Sequence, residues 1–372
     1  MIVGVLKEIK QDEYRVSLLP DGVDILTSKG HKVFVEKDAG LGSGFTNELY
    51  EKSGAVIIDT AKEVYEQAEL ILKVKEPLAQ EYSLIRKGQI VFTFFHFAAS
   101  RELTVGMAET EAICIAYETV QKDDGSLPIL IPMSEIAGRM AIQAGAKFLE
   151  KVHGGRGILL SEVPGVKPVE VLIIGGGMVG INAALSASGL GARVIILDNN
   201  LYHLRYLNTI MPSNVSTLMS ISYDIRDFLK NSDLVVGAVL IPGAKSPKLV
   251  TKDMLKIMKA GSVVVDVSID QGGCFETSRP TTHHDPVYVV DNIIHYCVAN
   301  IPGAVPFTST IALNNATFPY ILKLCNEGFE KCVETDREIR RGVDIYRGKI
   351  TNKKVADEFD IEYVPFDELR GN

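Results

Sequence analysis

The chain has 372 residues, 46% hydrophobic and 23% charged, with a formal net charge of −8. That balance is typical of a globular protein of two or three domains at ~150 residues each, and it argues against a nucleic-acid-binding surface. No run approaches the ~18 apolar residues of a membrane span, and the five cysteines have no C-x-x-C spacing, so buried reduced thiols are expected and not disulfides or a zinc site.

Residues 2–6 read as a first strand, with no basic leader before them. Arg15 lies in the loop that follows. Pro20 opens a helix that stops at Gly30. A strand over 32–36, a Gly-rich loop over 39–45 and a helix over about 46–53 come next. Strand signals at 55–58, 69–74, 89–94 and 113–117 alternate with helical patterns, which means a parallel sheet with crossover helices. The Asp124-Gly125 turn closes this first domain. From Met133 to Val152 runs a long helix rich in Ala and Gly, read as a connector that packs between domains or subunits. GGRG at 154–157 ends it.

The stretch 169–198, VEVLIIGGGMVGINAALSASGLGARVIILD, is the most informative. An apolar strand leads into Gly175, Gly177 and Gly180 in G-x-G-x-x-G spacing. A helix follows over 178–190, then a second strand ending at Asp198. These glycines allow a tight turn, close approach of a pyrophosphate to bare backbone, and close helix–strand packing. The helix N-terminus offers unpaired N–H groups to phosphate. Asp198 is placed to accept ribose hydroxyls and to repel a 2′-phosphate, so NAD is favoured over NADP. Without this context the glycines would read as loop punctuation.

Further strands are expected at 215–219, 234–239, 262–267, 287–291 and 294–298, with helices near 202–209, 223–231 and 251–258, giving a doubly wound sheet of about six strands. After Pro306 one or two helices over about 308–341 should pack back on the first domain. The acidic tail 357–372 reads as peripheral. The fold class is therefore α/β with two domains. A Rossmann domain spans 131–305, with the long helix at about 133–152. A discontinuous flavodoxin-like or Rossmann-like domain, the candidate substrate domain, is made of 1–130 and 306–372.

Lys75 and His96 each follow an apolar strand, so both lie where open α/β sheets bind ligands. The bland alternatives are a solvated lysine and a satisfied core histidine. Asp270 lies just beyond a strand in the second domain, Asn300 precedes a Pro-Gly turn, and Val239 to Gly243 marks a third strand end. His283 and His284 are adjacent and share no face, so a solvent-facing loop fits them better than a metal site. His31, His153 and His295 read as unremarkable. A small 2-oxo acid needs a cation for its carboxylate, a group of near-neutral pKa to move protons, and a hydride acceptor.

Over essentially its whole length the sequence resembles the bacterial alanine dehydrogenases of the alanine dehydrogenase and pyridine nucleotide transhydrogenase family. The motifs that carry this are GVLKEIKQDEYRV, KVKEP, FTFFHFAAS, IAYETVQ, PMSEIAGRMA, GGRG, GAVLIPGAKSPKLV, VDVSIDQGGCFETSRPTTH, YCVANIPGAVP and NNATFPY. The resemblance implies NAD-dependent deamination of L-alanine to pyruvate and ammonium by a cytoplasmic hexamer whose domains close over the substrate. It implies that Arg15 and Lys75 hold the substrate carboxylate, that His96 and Asp270 are the acid/base groups, and that Asn300 contacts the substrate. The NAD site would comprise Ser134, Gly175, Gly177, Met178, Val179, Gly180, Asp198, His203, Ser220, Val239, Leu240, Val267, Ser268, Ile269, Arg279, Val298, Ala299 and Asn300. Four positions depart from the family pattern. His203 stands where lysine is frequent and Phe307 where Lys or Arg is. Lys323 and Glu327 replace a Glu and a His that bind magnesium in a relative, so no metal is expected. Two alternatives stay open: a relative acting on a larger amino or 2-oxo acid, and a nucleotide-binding module of a transhydrogenase.

Overall fold

The computed structural model describes residues 1–221, 224–239 and 245–370. The chain divides into two compact units, Met1–Met133 with Val305–Asn372, and Ser134–Ala304.

In the first unit β1 (Ile2–Val5), β2 (Lys32–Glu36), β3 (Val56–Ile58), β4 (Leu70–Leu72), β5 (Ile90–Thr93) and β6 (Ile113–Ala116) alternate with α1 (Pro20–Ser28), α2 (Asn47–Lys52), α3 (Ala61–Gln67), α4 (Ala79–Tyr82) and α5 (Arg101–Glu109). The helix α6 (Leu130–Phe148) carries the chain into the second unit. There β7 (Glu170–Ile174), α7 (Met178–Gly189), β8 (Arg193–Asp198), α8 (Leu201–Ile210), β9 (Val215–Met219), α9 (Ile225–Leu229), β10 (Leu234–Gly237), α10 (Lys252–Leu255) and β11 (Val263–Asp266) precede the hairpin β12 (Val287–Val290) and β13 (Ile293–Tyr296). The chain returns to the first unit through α11 (Pro306–Glu327), α12 (Phe329–Thr335) and α13 (Arg337–Arg341). It ends with β14 (Val343–Tyr346), β15 (Lys349–Ile350), α14 (Lys353–Phe359) and α15 (Phe366–Arg370).

Both sheets share one plan. The first has the order β15-β14-β6-β5-β4-β1-β2-β3, the second β12-β13-β11-β10-β7-β8-β9. In each, six parallel strands follow the doubly wound order 3-2-1-4-5-6. An antiparallel strand finishes the edge beside the sixth, β14 against β6 and β12 against β13. The parallel strands are runs such as Leu70-Ile71-Leu72 and Val263-Val264-Val265, buried on both faces as crossover helices require. Close packing depends on small residues. A Cβ on Gly4 of β1 would stand 2.7 Å from the Val64 side chain of α3.

Three expectations change. The helix expected at 133–152 is α6 at Leu130–Phe148, with a separate 3₁₀ turn at Lys151–His153. Its small residues pack inside the second unit. A Cβ on Gly138 would meet the Val179 carbonyl at 2.3 Å, and one on Gly145 the Leu234 side chain at 2.6 Å. The helical stretch after 306 breaks into three helices, because Gly328, at φ +77°, separates α11 from α12, and Asp336 caps α13 through the N–H groups of Glu338 and Ile339. The tail is not peripheral. The hairpin β14–β15 turns through Arg347-Gly348 at φ +50° and +74°, and the Val364 N–H donates to the Ile350 carbonyl at 3.0 Å. Phe366 is buried edge-on against Tyr346.

All five cysteines are free and buried. No helix among the described residues is long and apolar enough to cross a membrane.

Candidate active site

In the first sheet the strand order reverses direction at β1 and β4, the switch point where open α/β sheets leave a crevice at their carboxyl ends. The chain leaving β1 supplies Glu8, Glu13 and Arg15. The chain leaving β4 supplies Lys73 and Lys75, β5 leads to His96, and β6 leads to Glu118. Three of the residues expected to act on substrate, Arg15, Lys75 and His96, thus meet at one sheet edge, and the charges of Lys75 and Arg15 act on His96.

Arg15 and Lys75 are both buried, at 2% and 7% exposure, so each must be held by partners. Arg15 Nε and Nη2 donate to the two Glu13 oxygens at 2.7 and 2.5 Å, and Nη1 is directed to Met133 Sδ at 3.1 Å. Burial works to raise the Glu13 pKa, but the Arg15 guanidinium and the Lys75 charge outweigh it and hold Glu13 at about 2. The Lys75 backbone is fixed from behind. Glu8 Oε1 accepts the N–H groups of Val74 at 2.6 Å and Lys75 at 3.2 Å. Lys73, fully buried, places its Nζ 3.3 Å from Glu8 and 3.1 Å from Glu81, and Tyr65 donates its hydroxyl to Glu81 at 3.0 Å. At the rim Lys10 pairs with Glu76.

Glu13 has a consequence for acid stability. A carboxyl whose folded pKa lies below its unfolded value stabilises the fold above the unfolded pKa and loses that effect as pH falls through the folded one. For Glu13 the window runs from 4.5 down to about 2. Glu13→Gln is expected to cost about 3 kcal/mol in urea unfolding at neutral pH. The gap to wild type should narrow as pH falls from about 4.5 and close near pH 2. A gap independent of pH would mean that the Arg15 charge does not set it.

His96 occupies the left-handed region, φ +53° and ψ +42°, which costs a non-glycine residue about 1–3 kcal/mol. Its ring lies parallel to that of Phe94, with centroids 5.7 Å apart. Burial, with the charges of Lys75, Lys10 and Arg15, pushes its pKa down to about 3. The near-neutral pKa expected of the proton-handling group is therefore not a property of the free protein, in which His96 is a neutral imidazole. The residue holding its backbone is Glu118. One carboxylate oxygen accepts the Phe95 N–H at 3.3 Å and the other the His96 N–H.

In the second unit most of the expected nucleotide residues follow the carboxyl ends of β7, β8, β9, β10, β11 and β13. Gly175 has φ +103°, and a Cβ on Gly180 would lie 2.0 Å from the Gly175 carbonyl oxygen, so neither position tolerates a side chain. Gly177 is the N-cap of α7. It is exposed, no side chain caps the helix there, and a Cβ would have nothing within 4 Å. Bare helix N–H groups beside open space fit a pyrophosphate. Met178 and Val179 begin α7, and Ser134 lies in α6. Asp198 at the end of β8 accepts the N–H groups of Gly176 and Asn200, each at 2.8 Å, and its carboxylate retains lone pairs for hydroxyls. His203 Nε2 sits 2.6 Å from the Gly176 carbonyl, so it braces the glycine loop from the side. The Ser220 N–H donates to the Asp198 carbonyl at 2.9 Å. Beyond β10, the Ser268 hydroxyl accepts the Val239 N–H at 3.0 Å and lies 2.8 Å from its carbonyl. Leu240 lies outside the described residues, as do Ile241 to Gly243 of the same stretch.

Asp270 is exposed on the 3₁₀ turn Val267–Gln271, where Ile269 faces inward and is buried. Two groups brace this turn. Asp266, fully buried, accepts the N–H groups of Ser268 and Cys274 at 3.1 and 2.9 Å. Lys248 Nζ donates to the carbonyls of Gly272 and Gly273 at 2.5 and 2.9 Å. The Arg279 guanidinium stands over the Tyr288 ring at 4.1 Å. Val298, Ala299 and Asn300 follow β13; Asn300 has φ +62°, and His283 Nε2 lies 3.1 Å from its carbonyl. His295 is a satisfied core histidine, between the Ile293 carbonyl at 3.0 Å and Thr277 Oγ1 at 2.8 Å. Lys323 pairs with Asp336 at 2.7 Å, and Phe307 stacks on Phe45.

The partners Glu8, Glu13, Lys73, Glu81, Glu118, Asp266 and Lys248 escaped the sequence reading. The available signal was acidic residues beside cations in KEIKQDEYRV and KVKEP, and the acid just past a strand in IAYETVQ.

The comparisons agree with this architecture. Residues 4–137 match the family described as alanine dehydrogenase/PNT, N-terminal domain, and residues 141–353 its C-terminal domain. An alanine dehydrogenase of Methanococcus maripaludis is 53% identical over 366 residues, 98% of each chain. A solved L-alanine dehydrogenase superposes with a TM-score of 0.92 at 48% identity, over 97% of this chain and 99% of that one. A solved transhydrogenase from Sinorhizobium meliloti shares the fold, with a TM-score of 0.82 at 24% identity over 94% and 100% of the two chains. With both domain families matched in order and relatives at half identity over its full length, the chain belongs to the alanine dehydrogenase/PNT family.

Proposed function

We propose that the chain catalyses the reversible reaction of L-alanine, NAD⁺ and water to pyruvate, ammonium, NADH and a proton. The first unit serves as the substrate domain and the second as the NAD domain. The observation that carries this reading is the pair of buried cations, Arg15 and Lys75, at the first sheet's switch point, with a neutral histidine at the next strand end. Two cations with a base suit a small 2-oxo or 2-amino carboxylate.

Bound NAD supplies the hydride acceptor. Arg15 and Lys75 hold the substrate carboxylate, and Asn300 completes its binding. His96 accepts or returns a proton at the substrate's oxygen or nitrogen. Asp270 orders the entering water or the departing ammonia. Ser134, the glycine loop with Met178 and Val179, Asp198, His203, Ser220, Val239, Leu240, Val267 to Ile269, Arg279, Val298 and Ala299 form the NAD site. By family resemblance the working form is a cytoplasmic homo-hexamer.

The test is NADH formation by the purified chain with NAD and L-alanine, and its consumption with pyruvate plus ammonium. Activity in both directions is expected, with much less on NADP. Asp198→Ala is expected to relax that discrimination by about tenfold or more, since a carboxylate facing a 2′-phosphate is worth at least ~1.4 kcal/mol. Unchanged selectivity would place the ribose reading elsewhere. Binding of NAD without turnover of L-alanine would point to another amino or oxo acid.

A further inference from the structure

Glu118 is absent from the expected site, yet it is the group in direct hydrogen-bonding contact with the backbone of His96. It follows β6, one strand over from β5, which leads to His96. Its two oxygens take up two consecutive N–H groups, those of Phe95 and His96. Only an ionised carboxylate presents two acceptors with no donor in that position. A glutamine would turn an NH₂ toward one of the N–H groups, and a protonated glutamic acid keeps only its carbonyl oxygen as a strong acceptor. The contact matters because of where it acts. His96 is a non-glycine residue at φ +53° that opens the 3₁₀ turn Phe97–Ala99 with no side chain capping it. The direction of its imidazole follows from that backbone setting, and the parallel Phe94 ring fixes the plane.

We infer that Glu118 is a positioning residue for the proposed reaction: in its ionised form it locks the His96 backbone in the left-handed setting that aims the imidazole at the substrate, and on protonation it releases that lock. The inference rests on the alanine reading for its kinetic readout. Burial raises the Glu118 pKa to about 7, against the pull of its own, His96 and Phe95 N–H groups and of the Lys75 charge. From β14, Asp344 is coupled to it by repulsion and is itself held by Thr119 Oγ1 at 3.1 Å and Asn352 Nδ2 at 2.9 Å. His96, with its pKa near 3, does not titrate in the same range. The lock is thus engaged above about pH 7 and lost below it.

The experiment compares wild type with Glu118→Gln. Wild type is expected to show an acidic limb in kcat/KM with a midpoint near 7. Glu118→Gln should lower kcat by about 10²-fold, the effect of misplacing a reacting group by about an ångström, and abolish that limb. KM for L-alanine and the Kd for NAD should stay within about threefold, because the substitution leaves the groups that bind both ligands in place. Wild-type turnover, or reduced turnover with the acidic limb unmoved, would overturn the inference. If the wild type does not turn over L-alanine at all, the functional reading fails by itself. The lock is then read from histidine-selective ¹⁵N spectra, with His96 assigned through His96→Ala. Between about pH 6 and 8 its ring signals should move in wild type and stay still in Glu118→Gln, since the ring itself is far from titration. Signals that stay still in both would overturn the lock. If Glu118→Gln does not fold, Glu118→Asp replaces it. One methylene shorter, it keeps the charge but cannot span both N–H groups, so low kcat with a retained acidic limb is expected. Wild-type kcat in that variant would overturn the inference.

Discussion

Replacing His96 with alanine is expected to lower turnover of L-alanine by about 10²- to 10⁴-fold, the range supplied by a positioned acid–base group, and to leave NAD affinity unchanged. The argument is electrostatic as much as geometric. In the free protein the imidazolium is disfavoured by burial and by Lys75, Lys10 and Arg15, so the ring waits as a neutral base with a pKa near 3. A conjugate acid that strong returns its proton readily but is a poor acceptor. The substrate brings the correction: its carboxylate, laid against the same cations, offsets their field and raises the His96 pKa toward the working range. The pH profiles should therefore split. kcat/KM reports the free enzyme and should carry no His96 limb near neutrality, whereas kcat, reporting the complex, should. A loss smaller than tenfold in His96→Ala, a barrier change under ~1.4 kcal/mol, would remove His96 from the chemistry.

The largest effect on stability is expected from Lys73→Met, which should cost about 3–5 kcal/mol, enough to bring the first unit close to unfolding. Lys73 is a fully buried ammonium between Glu8 and Glu81. Burial works to discharge it, and the two carboxylates outweigh that, raising its pKa. Without it, two carboxylates remain in the core with no cation between them and answer by binding protons. Their folded pKa values would then exceed the unfolded ones. The deficit should accordingly be full at neutral pH and shrink as pH falls through those raised values. Urea unfolding at neutral and mildly acidic pH measures this. Glu8 also anchors the Val74 and Lys75 N–H groups, so kcat/KM should fall even where the variant is folded. A cost below about 1 kcal/mol would mean that water reaches the cluster and that its burial is only apparent.

The sequence displays the parts of this protein whose chemistry follows from strand ends. Lys75, His96 and Asp270 each follow an apolar run, and the glycine loop lies between its strand and helix, so periodicity alone places them at carboxyl edges. The partners are hidden because a glutamate in a polar loop looks the same whether it is solvated or folded back onto a backbone. Glu8 and Glu118 each hold N–H groups that follow the neighbouring strand in space, and no local pattern encodes that pairing. The lowered pKa of His96 is hidden in the sequence for the same reason, since Lys10, Arg15 and Lys75 act on it from two other strand ends. The hairpin at the edge of the first sheet did leave a mark. VDIY and KI are separated by Arg347-Gly348, a two-residue turn with both φ angles positive, and Asp291-Asn292 does the same between β12 and β13. The apolar period of the preceding helices masked it.

The free, buried cysteines give the protein a built-in clock. Cys114, Cys325 and Cys332 belong to the first unit, Cys274 and Cys297 to the second. Burial pushes each thiol up, that of Cys332 to about 11 and that of Cys325 to about 12. A thiolate-seeking reagent therefore finds almost nothing to react with while the fold is closed. Modification has to wait for the chain to open around each sulfur. Because the sulfurs are split between the units, the order in which they are tagged under native conditions reads out which half breathes first, with no label introduced and no residue changed.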